Sequence, residues 1–216
     1  MNQFQDTYIV PILNQVRPKK ILEIGILEGR HTYALLKWCQ SMDCELTSVD
    51  PTPWIGNIPE EYKPGAVGFL YRRGHHSEKC HLLPHHIEKI FSEGLNIYWT
   101  CIKSLSLTFL AECKENYDVA FIDGDRNYYT VINELTFLAK LLSQNGVVFI
   151  HDVTNPSCAY KDYYYDFTLI PDAFRYKDKQ GIVNAVHDFL EKLPEFTYRV
   201  LTDSENGLGL IKRCIS

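Results

Sequence analysis

A chain of 216 residues with 22 Lys and Arg against 27 Asp and Glu has a formal charge of -5, and 45% of its residues are hydrophobic. That much apolar material excludes an intrinsically disordered chain. The acidic balance lacks the general field that draws a phosphate backbone, so nucleic acid is not an expected partner.

The length suits a single embellished domain, residues 1–216. Seven cysteines form no C-x-x-C pair, and several stand among apolar residues; they read as free thiols of a reducing compartment. The first residues show neither a basic leader nor an adequate apolar core, and no apolar run reaches the ~18 residues of a membrane span. A cytoplasmic protein without membrane association is the expectation.

Residues 1–18 place Phe4, Tyr8, Ile9, Ile12 and Leu13 at a spacing that predicts an N-terminal helical extension. Residues 20–25 (KILEIG) are a short apolar run closed by glycine, and residues 30–40 carry Tyr33, Ala34, Leu36 and Trp38 at helical spacing: strand, turn, helix. Further strands are predicted at residues 45–50 (ELTSVD), 96–101 (NIYWTC), 118–123 (DVAFID) and 146–152 (GVVFIHD). Between the last two, Val131, Ile132, Leu135, Leu138, Leu141 and Leu142 form the stripe of a helix packed on a sheet. Such alternation implies right-handed crossovers and a mainly parallel sheet covered on both faces.

The C-terminal fifth breaks the pattern. A helix over residues 181–193 is followed by strands at 196–203 and 208–213, whose connection is too short for a crossover, so this pair is antiparallel. Residues 51–94 and 154–180 are insertions at strand ends, where such folds place specificity.

Chemistry concentrates at the strand ends. Glu23, Gly25 and Gly29 form E-I-G-I-L-E-G at the first strand-helix junction, where small residues let a ligand approach the backbone. Ile26 and Leu27 break the G-x-G-x-x-G spacing of a dinucleotide site, which disfavours a pyrophosphate. Asp50, twenty-one residues beyond Gly29, is placed to accept hydrogen bonds from ribose hydroxyls. A nucleoside without pyrophosphate fits both observations. Taken singly, the glycines equally serve to end a strand and pack a helix, and Asp50 to cap the next segment. The fourth strand closes on Phe121-Ile-Asp-Gly-Asp125 and the fifth on Val148-Phe-Ile-His-Asp152, and the combination favours function.

With these motifs the chain resembles the class I S-adenosylmethionine-dependent methyltransferases. The likeness is to the group with D-G-D after strand 4 and H-D after strand 5, including the macrocin-type sugar and catechol O-methyltransferases. It extends over residues 20–213 and includes Asn206-Gly-Leu-Gly-Leu210. It implies a Rossmann-like three-layer α/β sandwich around a mostly parallel seven-stranded sheet of order 3-2-1-4-5-7-6, with strand 7 antiparallel.

The resemblance sets Glu23, Gly25 and Gly29 beside the methionine part of the cofactor, Asp50 at its ribose and Ser104, after the third strand, at its adenine. Asp123 is assigned to the cofactor site as well, and Asp123, His151 and Asp152 to a divalent cation, magnesium, manganese or iron, with the imidazole favouring the softer ions. Arg30 and His31 stand where the family more often has small or hydroxyl residues. Asp125 or His151 is the candidate general base. In the plainer reading, Asp123 and Asp152 bond backbone amides at turns, His151 is their partner, and Asp125 caps the next helix.

The implied activity is O-methylation of a small hydroxylated acceptor such as a sugar or natural product. The rivals are a non-catalytic S-adenosylmethionine-binding protein and, more remotely, an NAD-dependent oxidoreductase. His75, His76, Cys80, His81, His85 and His86 match no common zinc spacing, and with Pro84 among them they read as a half-exposed helix or loop. Tyr160, Tyr163, Tyr164, Tyr165, Phe167, Phe174 and Tyr176 suit an acceptor pocket, or equally the surface of a homo-oligomer. Trp54, Arg72 and Arg73 suit a further pocket wall or solvated charge.

Overall fold

The apolar runs pair into one sheet. Its strands are β1 (Lys20–Ile24), β2 (Glu45–Asp50), β3 (Trp99–Lys103), β4 (Tyr117–Ile122), β5 (Leu142–His151), β6 (Phe196–Thr202) and β7 (Leu208–Arg213). The computed structural model describes residues 1–51, 85–162 and 179–214. Trp54, Arg72, Arg73, His75, His76, Cys80 and His81 lie outside these residues, as do the aromatic positions from 163 to 176.

The strand order is β3-β2-β1-β4-β5-β7-β6. The five strands from β3 to β5 run parallel. β7 is antiparallel to both β5 and β6, as the five-residue link before it requires.

Side-chain alternation along the central strands divides the core in two. Ile21, Phe121 and Phe149 face one side, against the N-terminal segment, α2 (Arg30–Met42) and α3 (His85–Ser92). Leu22, Ile24, Ile122 and Ile150 face the other, against α5 (Tyr128–Leu141) and α6 (Ile182–Lys192). Every one of these side chains is at most 3% exposed. The result is the three-layer sandwich expected of strands alternating with amphipathic helices.

Four elements differ from the sequence expectation; the first is β5, which begins at Leu142, four residues before the expected 146, so that Leu142 belongs to the strand and not to the helix stripe. The N-terminal extension is a 3-10 turn (Asn2–Phe4), a π turn (Gln5–Ile9) and then α1 (Val10–Val16). Pro11, at the start of α1, lacks an N–H and crowds the preceding turn, which a wider turn relieves. β3 begins at Trp99, three residues late: Gly94 adopts a left-handed φ of 69° and Leu95–Tyr98 make a 3-10 turn that leaves Ile97 exposed. α4 (Ser106–Glu112), which follows β3, has too few apolar positions to announce itself, with Leu110 its one buried residue. Among the described residues no helix is long and apolar enough to cross a membrane.

Candidate active site

The carboxyl ends of β1, β2, β4 and β5 open on a cavity of about 540 Å³. Its wall takes residues from the loop after β1, the end of β2, residues 105–107, the turn from Asp123 to Thr130, His151, and Met1 and Gln3 of the N-terminal segment.

The glycine loop is shaped by the chain itself. Gly25, at φ 93°, donates its amide to the Val49 carbonyl and lies so close to β4 that a Cβ would sit 2.5 Å from the Asp123 carbonyl oxygen. Asp50, almost buried, accepts the Ile26 amide at 2.9 Å through Oδ2. This bond ties the loop to the acid at the end of β2, with both Gly25 and Asp50 on the cavity wall. Gly29 precedes α2 at φ 73° and faces Ile87 rather than the cavity.

Glu23 also lies beneath the wall. It is fully buried and accepts from His31 Nδ1 at 2.9 Å, Thr32 Oγ1 at 2.8 Å and Ser48 Oγ at 2.6 Å, while Ser48 accepts from Trp99 Nε1 at 3.0 Å. Three donors on one carboxylate satisfy a charge that would otherwise be costly to bury. His31 is the member of this network on the cavity wall. Its Nε2 has no hydrogen-bond partner among the described residues.

Beyond β3, Ser104 donates its amide to the Asp50 carbonyl and its hydroxyl to the Leu105 carbonyl, and it is off the wall; Leu105, Ser106 and Leu107 are on it. Ser106 Oγ lies 2.5 Å from Glu134 Oε1, a fully buried carboxyl of α5. Burial pushes this carboxyl up; the Ser106 hydrogen bond opposes the shift and Asp125 adds to it, for a value of about 8.

An unfolded chain releases this proton near the ordinary 4.5, whereas the folded chain keeps it to about 8. Between those values the native state holds the extra proton, so stability falls as pH rises, by at most ~1.4 kcal/mol per pH unit. Urea unfolding at pH 5 and 8 is expected to show this decline in wild type and a flatter profile in Glu134→Gln. Parallel profiles would remove Glu134 as its source.

Asp123, His151 and Asp152 converge at the end of β5, with one ligating atom of each within 4.8 Å of the others. His151 Nδ1 lies 2.8 Å from Asp123 Oδ1, and its ring meets the edge of Phe4. Its other nitrogen, Nε2, lies 3.5 Å from Gln3 Nε2. Asp152 stands in a left-handed conformation, φ 62°, with its amide on the Gly207 carbonyl, and Thr154 donates its amide to the Asn206 carbonyl next to it. Burial would raise the Asp123 carboxyl, but the His151 hydrogen bond and neighbouring positive charge, including Arg126, hold it below its ordinary range.

The donor set alone has the size and chemistry for a small divalent ion. Among the three groups, however, lies a cation of the chain: Arg126 pairs through Nε with Asp152, and its guanidinium is 3.9 Å from Asp123. His151 Nδ1 is moreover already committed to Asp123. The three groups stand close enough to hold an ion, and in this arrangement Arg126 stands among them as their counterion.

Asp125 is on the wall, but its carboxylate is held within its own turn by Asn127 Nδ2 at 2.6 Å and Thr130 Oγ1 at 2.5 Å. The residue preceding α5 is Asn127, and the first amide of that helix is taken by Asp162 from across the fold. Of the histidine-rich segment, His85 and His86 begin α3, and among the described residues they join no metal-compatible group. Tyr160 is exposed.

Arg126, His31, Ser106, Glu134 and Gln3 were not singled out for roles from sequence. Arg126 directly follows D-G-D, but its position in the sequence does not distinguish an internal counterion from a solvated charge. Gln3 carried no signal, because only the tertiary fold brings the N-terminal segment to β5.

The strand order and a cavity over the carboxyl ends of β1 and β4 define the class I methyltransferase architecture. A methyltransferase-domain family matches residues 22–153, more than half of the chain, and the protein belongs to that family.

Similar solved structures include an SAH-bound methyltransferase of Podospora anserina, with 17% identity, a TM-score of 0.58, and coverage of 95% of this chain and 76% of that one. The O-methyltransferase TomG of Streptomyces achromogenes, involved in tomaymycin synthesis and solved with SAM, shares 16% identity and a TM-score of 0.55 over 95% and 77% of the two chains. An O-methyltransferase of Bacillus cereus, solved with SAH, shares 16% identity and a TM-score of 0.55 over 94% and 77%. At these identities the likeness is one of fold. No curated protein matches the chain by sequence.

Proposed function

We propose that the protein transfers the methyl group of S-adenosylmethionine to a hydroxyl of a small polyhydroxylated acceptor, with His151 as general base and without a metal ion. The observation that carries this reading is the Asp123-His151 pair at the end of the cavity. Asp123 fixes the proton of the neutral ring on Nδ1, so the lone pair of Nε2 is the basic one. The Gln3 amide lies 3.5 Å from that nitrogen.

The donor's ribose sits at Asp50, its methionine part along Gly25, Ile26 and His31, and its adenine against residues 105–107. The family match and the SAM- and SAH-bound structures of like fold support S-adenosylmethionine as the donor, and the residues on the cavity wall suggest this placement. In-line attack forms the acceptor O–C bond and breaks the S–C bond; the hydroxyl proton passes to His151 Nε2, and S-adenosylhomocysteine leaves. Arg126 balances the charge of Asp123 and Asp152 and offers polar contact to acceptor oxygens. The preference for a sugar-like acceptor follows the D-G-D and H-D motifs. A cytoplasmic location accords with the six described cysteines, all free thiols.

Two measurements test this reading. Calorimetry is expected to show S-adenosylhomocysteine binding that weakens by ~1 to 3 kcal/mol in Asp50→Ala, the loss of hydrogen bonds to a charged group. Unchanged affinity would remove Asp50 from the site, and tight binding of a nicotinamide dinucleotide instead would favour an oxidoreductase. Methyl transfer to polyhydroxylated acceptors is expected to survive exhaustive chelation. Activity lost to chelation and regained with manganese or magnesium would restore a cation at Asp123, His151 and Asp152.

A further inference from the structure

Glu134 is a buried acid that the transfer chemistry does not use. It lies in α5 behind the cavity wall, fully buried; Oε1 contacts Ser106, and Oε2 has no hydrogen-bond partner among the described residues. Ser106 opens α4 and is itself on the wall. We infer that Glu134 sets the direction in which Ser106 hydrogen-bonds the purine of the bound donor. Ser106 is a donor while Glu134 is neutral and only an acceptor once Glu134 is ionised. The inference rests on the proposed placement of adenine against residues 105–107.

A serine hydroxyl has one hydrogen and two lone pairs. Against an ionised carboxylate its hydrogen is drawn to Glu134, and only lone pairs face the cavity. Against a neutral carboxyl the bond reverses: the acid proton on Oε1 points at Ser106 Oγ, and the serine hydrogen turns toward the ligand. Adenine presents ring nitrogens that accept as well as an amino group that donates; with Ser106 opposite a ring nitrogen, the neutral state of Glu134 completes a hydrogen bond that the ionised state leaves unmade.

The surroundings favour the neutral state. Burial is the largest influence, Ser106 of α4 opposes it, and Asp125, on the turn into α5, adds like charge; among the described residues no further charged group is an influence on Glu134. Asp125 is fixed in that position by Thr130 and Asn127. By linkage, a ligand that prefers the neutral state also strengthens the hold of Glu134 on its proton.

The test is calorimetric titration of S-adenosylhomocysteine into wild type, E134Q and S106A at pH 6.5 and 9. Wild-type affinity is expected to fall about five- to tenfold more across that range than E134Q affinity, the worth of one hydrogen bond. Titration of the ligand's own amino group is common to both proteins and cancels. S106A should share the shallow profile of E134Q, since it keeps the acid but lacks the hydroxyl that reports its state. It carries the comparison alone if E134Q does not fold. Identical pH dependence in wild type and the folded variants would overturn the inference while leaving the cofactor site intact. Failure of wild type to bind at either pH would overturn the cofactor reading together with it.

Discussion

Replacing His151 with alanine is expected to lower kcat by about 10²- to 10⁴-fold, the usual contribution of a positioned general base, while the donor's KM changes little. The asymmetry follows from the geometry. The ring of His151 is clamped by Asp123 at 2.8 Å and by the Phe4 edge at the acceptor end, away from the loop that meets the donor. Asp123→Asn should reproduce part of the loss, because an amide in place of the carboxylate no longer enforces the tautomer with its lone pair on Nε2. Steady-state kinetics with saturating acceptor reads both effects. A His151→Ala enzyme that keeps more than a tenth of the wild-type kcat would exclude His151 as the base and turn attention to Asp125.

The second large effect concerns folding. Gly25→Ala is expected to destabilise the protein by at least ~3 kcal/mol, since alanine at positive φ is strained and the new methyl meets backbone atoms. Those atoms are the Asp123 carbonyl oxygen at 2.5 Å and carbon at 2.8 Å, and Gly124 Cα at 2.9 Å, none of which can rotate away. Gly29→Ala is expected to be milder, about 1 to 2 kcal/mol, although its nearest contact is shorter. That contact, at 2.3 Å, is Ile87 Cδ1, the end of a side chain with other rotamers. Urea unfolding of the two variants should preserve this order, and a reversed order would show that the close approach of β1 to β4 is not what demands glycine.

What the sequence revealed of this molecule was its local and periodic content. A short apolar run closed by glycine marked residues 20–25 as strand, and the short link before β7 fixed its direction, because neither inference needs distant residues. Sequence motifs also anticipated that Asp123, His151 and Asp152 would meet, since β4 and β5 are neighbours.

The function of that meeting was not legible in the same way. Whether three acids and bases surround a metal or an arginine depends on the rotamer of Arg126, which no spacing encodes. The adenine-side candidate Ser104 was two residues from Ser106, the serine on the wall, and β3 itself began three residues later than its composition suggested. Glu23 showed the converse: its place in the motif was plain, but the number of donors around it, which puts His31 rather than the acid on the cavity wall, is a tertiary property.

The amide of Asp152, on the carbonyl of Gly207, and that of Thr154, on Asn206, join the acceptor end of the cavity to the residues just before β7. β7 also enters the sheet between β5 and β6, so its neighbours on both sides precede it in the chain. During synthesis, then, the open flank of β5 and the left-handed turn at Asp152 await a strand that leaves the ribosome after the six others of the sheet. On this topology the Asp123-His151 pair, proposed above as the catalytic pair, is expected to take its final geometry only when that strand arrives. A nascent chain of this protein can bury most of its apolar residues while still lacking a working centre, and activity recovery on refolding should track β7 insertion rather than collapse of the core.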